Sequence, residues 1–129
     1  MKKRRKTRKY KTGIYVSTKT GAEIKYRSGW ELNFAQYLDK DATVLTYSYE
    51  SVIVSYITNL RSGRLRKYFP DFFIERTDGT KLLVEIKPLR FMNRTINKKK
   101  WEAALQWCVE HDAEFMVLTE CELKDMAII

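Results

Sequence analysis

Residues 66–87 read RKYFPDFFIERTDGTKLLVEIK, and this stretch decides the fold. Arg66 to Arg76 and Lys81 to Lys87 are rich in aromatic and branched side chains. Thr77-Asp78-Gly79-Thr80 between them is a turn signal, so the pattern predicts a β-hairpin. Phe69, Phe72, Phe73, Ile74, Leu82, Leu83, Val84 and Ile86 make both of its faces apolar, as in a strand pair covered by helices on two sides. Asp71, Glu85 and Lys87 would be costly in such surroundings without partners or a metal ion.

The hairpin also makes a demand on its own register. A two-residue Asp78-Gly79 loop would set Asp71 opposite Ile86, and directly opposed residues share a face, so Asp71 would point away from Glu85 and Lys87. A three-residue loop, Thr77-Asp78-Gly79, pairs Asp71 with Glu85 and puts Gly79 in the left-handed conformation that glycine adopts cheaply. A bulge near Pro70, which has no N–H to give a ladder, would make the same correction. One of these two irregularities is expected.

Upstream, Ser28 and Glu31 match the S-x-x-E capping box, and Trp30, Phe34, Tyr37 and Leu38 follow at helical spacing, predicting a helix from about Gly29 to Asp39. Val44 to Tyr49 and Val52 to Ile57 read as strands, with a turn at Asn59 to Gly63. Downstream, Trp101, Ala104, Leu105 and Cys108 share one face of a helix from about Asn97 to His111. Glu114 to Leu118 then reads as a buried strand, and Thr119 with Glu122 opens a short last helix. A strand, a helix and a further strand imply a parallel crossover that sets Glu114 to Leu118 beside Lys81 to Lys87. The fold class is therefore α/β, a mixed β-sheet flanked by helices.

Charge is unevenly spread over the 129 residues. Residues 1–11 hold eight Lys/Arg and no acid, so a total of +9 leaves +1 for the rest. Residues 12–100 hold 16 basic and 9 acidic groups, and residues 101–129 hold 1 and 7. The first 11 residues read as a disordered basic arm and residues 12–129 as one domain of ordinary size. A polyanion would gain from the arm, through Lys2, Lys3, Arg4, Arg5, Lys6, Arg8 and Lys9, and would meet the middle of the chain rather than its acidic end. There, Arg90, Arg94, Lys98, Lys99 and Lys100 form a run without an acid, and lysines at a helix N-terminus oppose its dipole until a phosphate relieves them. No apolar run approaches the ~20 residues that span a bilayer, so the expected location is the cytoplasm of a cell. Cys108 and Cys121 lack metal-type spacing and are expected as reduced core thiols. His111 is the single histidine and sits near a predicted helix end, so a hydrolytic triad has no candidate.

Asp71, Glu85 and Lys87 suit another chemistry. Cleaving a phosphodiester near neutral pH needs a hard cation with oxygen ligands, which neutralises charge on the phosphate and acidifies bound water. Asp71 and Glu85 supply such oxygens, Ile86 can add its backbone carbonyl, and Lys87 lies on the face of Glu85, two residues on. Glu-x-Lys alone is ordinarily a solvent-facing ion pair; burial in an apolar hairpin is what favours a site. Glu31 shares a helix face with Phe34, Ala35 and Leu38 and is either a further ligand or simply the capping glutamate.

Pro70-Asp71 with Glu85-Ile86-Lys87 and the upstream Glu31 resembles the TnsA-type branch of the PD-(D/E)XK nucleases, and within it the head-completion nucleases of tailed phages. Tyr26-Arg27-Ser28 with Trp30-Glu31, Val52-Ile53-Val54 with Tyr56, Tyr68 to Phe72, Val84 to Pro88 and Phe115 to Glu120 carry the likeness in order. The resemblance implies a restriction-endonuclease-like core and a magnesium-dependent cut in DNA, with manganese as a substitute. It implies Asp71, Glu85, the Ile86 carbonyl and Glu31 around the metal, and Lys87 as the catalytic lysine. It also implies phage head or portal proteins as partners, in a bacterial host or the virion. The rival readings are a DNA-binding structural head component without turnover, and a transposon or repair nuclease subunit. The transposon role is weakened because the chain ends about ten residues past its last strand, whereas those enzymes carry a further helical domain.

Overall fold

The structure, a computed structural model, describes residues 11–129. Lys2, Lys3, Arg4, Arg5, Lys6, Arg8 and Lys9, expected to contact DNA, lie outside the described residues. In chain order the elements are β1 (Tyr15–Val16), β2 (Glu23–Ile24), α1 (Gly29–Lys40), β3 (Val44–Tyr49), β4 (Val54–Asn59), β5 (Arg64–Tyr68), β6 (Phe72–Arg76), β7 (Lys81–Ile86), α2 (Thr95–Glu110), β8 (Glu114–Leu118) and α3 (Glu120–Asp125). The central sheet has the order β3-β6-β7-β8; its first two pairings are antiparallel and β7 pairs with β8 in parallel. That parallel neighbour is the one expected from a crossover through α2.

Period-two alternation along β6 and β7 divides the core between two faces. Phe72, Ile74, Leu82, Val84 and Ile86 pack on one side with Phe34, Ala35 and Leu38 of α1. Leu83 and Phe73 point to the other side, toward Ala104, Cys108, Trp101 and Trp107 of α2. Phe72 is fully buried with Phe34, Tyr47 and Tyr49 rings around it at 5.1, 6.1 and 5.3 Å, so truncating it to alanine would cost about 3–5 kcal/mol. Helices thus cover both faces of the hairpin that the sequence shows as apolar on two sides.

Two expectations need correction. Arg66 to Arg76 is not one strand: β5 ends at Tyr68, β6 begins at Phe72, and the chain changes sheets between them. Pro70 has no N–H for a ladder, and β5 instead pairs with β4 in a separate hairpin that packs on α2. Cys121 is exposed, so only Cys108 is a core thiol, its pKa pushed up to about 11 by burial. The short β1–β2 pair also goes unread in the sequence. It is pinned by Asp39 near the end of α1, which accepts from the hydroxyls of Tyr15, Ser17 (2.7 Å) and Tyr47 (2.8 Å) and from the Thr18 N–H (3.1 Å). Desolvation pushes the Asp39 pKa upward, but these donors outweigh it and hold the group at about 2.

α2 starts without a side-chain cap at Arg94, although Asn97 reaches back to the Phe91 carbonyl (2.9 Å), and its lysines oppose the dipole. Packing of Ala104 and Cys108 therefore holds it in place. His111 ends this helix, its Nδ1 2.7 Å from the Trp107 carbonyl and its ring stacked on Trp107, which is the structural place expected for it. Among the described residues no helix is long and apolar enough to cross a membrane.

Candidate active site

The hairpin loop sets the geometry. Phe72 pairs with Val84 and Glu75 with Lys81, and the same count places Asp71 opposite Glu85. The loop has three residues: the Arg76 N–H reaches the Thr80 carbonyl (2.9 Å), the Gly79 N–H reaches the Arg76 carbonyl (3.0 Å), and Gly79 has φ +88°. The Asp78 carboxylate accepts from the Thr80 N–H (2.9 Å) and hydroxyl (2.7 Å), closing the turn. The three-residue loop is thus the irregularity present, and it turns both carboxylates to one face.

Three elements supply the walls. Asp71 follows the break after β5, Glu85 and Ile86 end β7 with Lys87 just beyond, and Glu31 lies in the first turn of α1. A cleft of about 330 Å³ is lined by the acids Glu31, Glu50, Asp71 and Glu85 and the bases Arg27, Lys67, Lys87 and Lys100, with Tyr68, Phe69 and Ile86. Asp71 and Glu85 are only 8% and 6% exposed. The Asp71 Oδ2 accepts from the Ile86 N–H at 2.7 Å, and the Asp71 carbonyl accepts from the Glu50 N–H at 2.9 Å, so both ends of the residue are fixed. Lys87 Nζ lies 3.4 Å from Glu85 Oε2, while Glu85 Oε1 and the Tyr68 hydroxyl are buried without a hydrogen-bond partner.

Burial raises the pKa of Asp71 well above the ordinary value, and the charges of Glu85 and Glu31 raise it further; the Ile86 N–H and Lys87 only partly compensate. Glu85 is raised by burial too, against the opposing pull of Lys87, Tyr68 and Lys100. Two acids held close in a dry place are an unfavourable arrangement for a folded protein by itself. A cation between them would offset that cost. Glu85 Oε1, buried and without a hydrogen bond of good geometry although the Tyr68 hydroxyl lies near enough to favour its charge, fits the same conclusion, and hard carboxylate oxygens are the donors that magnesium or manganese takes. Among the described residues no three His, Cys, Asp or Glu side chains close around a metal, so the fit is to a cation held by two carboxylates, with its remaining positions open to water and phosphate.

Glu31 is 8% exposed and lines the cleft, yet its Oε1 accepts from the Tyr49 hydroxyl (2.6 Å) and the Arg27 N–H (2.9 Å). Ser28 caps α1 by accepting from the Glu31 N–H (3.2 Å), but the Glu31 side chain reaches past Ser28 to Arg27, so the expected capping box is only half present. Helix capping therefore does not account for this side chain. Burial and hydrogen bonding to Glu31 push the Tyr49 hydroxyl pKa upward.

Of the basic residues expected to contact DNA, Lys100 reaches the cleft, with Nζ 5.6 Å from the centre of the Tyr68 ring. Arg90 and Arg94 instead stack on Phe91 at 4.6 and 4.1 Å, and Lys99 donates to the Thr58 carbonyl at 2.8 Å, tying α2 to the β4–β5 hairpin. Lys98 is not among the residues that line the cleft. Sequence reasoning misses Arg27, Glu50, Lys67 and the roles of Tyr49 and Tyr68. Glu50 takes a left-handed φ of +52° and pairs with Arg27 at 3.3 Å, a conformation no local pattern announces.

Residues 41–120 match the family described as TnsA-like endonuclease N terminal, a span that includes Asp71, Glu85 and Lys87 and begins after Glu31. The chain is also 30% identical to the head completion nuclease of Enterobacteria phage T4, over 79% of this chain and 82% of that one.

Proposed function

This chain belongs to the TnsA-like endonuclease family, and on that premise we propose that it is a metal-dependent endodeoxyribonuclease acting on DNA in phage head completion. The observation that carries the reading is the buried Asp71–Glu85 pair, brought to one face by the hairpin register and set in a cleft with four basic side chains. Asp71 and Glu85, with the Ile86 carbonyl, would hold magnesium, or manganese in its place. Such an ion supplies positive charge at the phosphate and a more acidic bound water.

The protein's own groups do the rest. The Ile86 N–H holds one Asp71 carboxylate oxygen and the bond from Glu50 holds its backbone carbonyl, so the residue keeps its place in the lining of the cleft. Lys87, beside Glu85, places a cation where a phosphate oxygen would enter and can donate a proton to an oxygen there. Glu31, steadied by Tyr49 and Arg27, adds a further acceptor for water. Lys67 and Lys100 attract the phosphodiester backbone.

The T4 relative is named for head completion, and that name supports the same setting here: DNA of a phage head, phage head or portal proteins as partners, and the host cytoplasm or virion as the location. Supercoiled plasmid incubated with the protein should be nicked in magnesium or manganese and untouched in EDTA. Plasmid left intact across a range of both metals would refute the enzyme reading and leave a DNA-binding head component.

A further inference from the structure

A second cleft, of about 690 Å³, lies between the β4–β5 hairpin and the first turns of α2, lined in part by Tyr56, Arg64, Arg66, Ile96 and Lys100. Lys100 lines this cleft and the catalytic one alike, so the two adjoin at its side chain. The Lys99 bond to Thr58 fixes the hairpin against α2, so the cleft has a set width before anything enters it.

The hairpin face that borders it is unusual. Val54 pairs with Tyr68 and Tyr56 with Arg66, so Arg66 shares the helix-facing side with three buried apolar residues, and Arg64, two positions before it, continues that side toward the tip. The face begins as core and ends as exposed guanidinium. Residues 51–70 contain four Lys/Arg and no acid, and no acidic side chain lines the cleft. Among the described residues neither Arg64 nor Arg66 has an ion-pair partner, and Lys100 faces them across the cleft. Like charges gathered on two walls repel one another unless a polyanion lies between them.

We propose that this cleft carries the DNA strand to one side of the scissile phosphate, with Arg64 and Arg66 contacting its phosphates and Lys100 bridging it to the catalytic cleft. The proposal rests on the nuclease reading above. It makes the β4–β5 hairpin a substrate-binding element, with arginines suited to phosphate by their planar fork of donors.

The test uses the full chain and a 40-base-pair duplex, with affinity followed from 50 to 200 mM salt in EDTA. The Arg64→Gln/Arg66→Gln double variant is expected to flatten the slope of log affinity against log salt by about 2, and to weaken binding at 0.1 M salt roughly 10- to 100-fold. Arg64→Lys/Arg66→Lys keeps the charge and should keep the wild-type slope. Lys81→Gln/Lys124→Gln removes the same charge at the start of β7 and on α3, and should also leave the slope unchanged. A hydroxyl-radical footprint of the Gln variant should lose protection on one side of the cut. Equal slopes for the two Gln pairs, or protection lost evenly on both sides, would overturn the proposal while wild-type nicking kept the nuclease reading intact. A wild-type protein that neither nicks nor binds DNA would overturn both.

Discussion

Burial keeps Asp71 and Glu85 from ionising freely, with the Glu85 charge adding to the effect at Asp71, and that cost is visible in how stability should depend on pH. Each has a folded pKa above its ordinary value of 3.8 or 4.5, so the folded state binds protons more readily than the unfolded one. The sign follows: their stabilising contribution is complete below those ordinary values and is lost as pH rises through the raised ones. Near neutral pH and without metal the pair therefore works against the fold. Asp71→Asn keeps an oxygen for the Ile86 N–H while removing a charge, so in EDTA it should raise stability by about 1 kcal/mol and shift Tm up a few degrees, while plasmid nicking disappears. Calorimetry giving a lower Tm for Asp71→Asn would contradict this account. Glu31→Gln is the companion case: the amide oxygen can still accept from Tyr49 and Arg27, so the fold should persist and nicking in magnesium should fall at least tenfold. Undiminished nicking would restrict Glu31 to a structural part.

At the scale of elements, loop length controls the site more strictly than loop composition. Removing Asp78 forces a two-residue turn, shifts Asp71 by one position against β7 and sends it to the opposite face from Glu85. Because both faces of β6 and β7 are apolar, helical and strand content should largely survive while nicking is lost. Adding one glycine after Gly79 only lengthens the loop, at a cost under ~1 kcal/mol, and should leave activity within a few-fold of wild type. Circular dichroism and nicking on the two variants check the pair, and an active Asp78 deletion would show that register does not set the site. This register was legible because side chains on a strand alternate strictly and two carboxylates that line one cleft must share a face. The division between β5 and β6 was harder to read, since Arg66 to Tyr68 and Phe72 to Arg76 have equal strand character and only Pro70 marks the change of sheet. β1 and β2, at two residues each, are too short to show a period, and their anchor Asp39 lies over twenty positions from Tyr15 and Ser17. Glu50 and Lys67 line the cleft and Tyr49 reaches it through Glu31 because unconnected strand ends converge, which spacing along the chain cannot reveal.

Over the whole molecule, charge and topology divide the labour. Eight of the 25 Lys/Arg lie in residues 1–11, while residues 101–129 are net acidic, so an approaching duplex meets attraction at one part of the chain and repulsion at another. Deleting residues 1–11 should weaken DNA binding and flatten its salt slope by up to about 7, leaving the cleavage step itself intact. An unchanged slope would assign the arm to a protein partner. Topology has a consequence of another kind. β6 and β7 meet through a three-residue loop, whereas β7 finds β8 only after α2 has been built, Leu82 pairing with Glu114. Close contacts form sooner than distant ones, hairpins in about 1–10 μs, so Asp71 and Glu85 meet before the parallel strand covers them. Their repulsion then falls on the climb to the folding barrier while the larger cost, burial, follows with β8, so Glu85→Gln should both refold faster in EDTA and unfold more slowly. Stopped-flow traces in which only unfolding slows would put the encounter after the barrier. In the expected case the two acids act as a brake on the molecule's own assembly, one that a divalent cation present during folding would release.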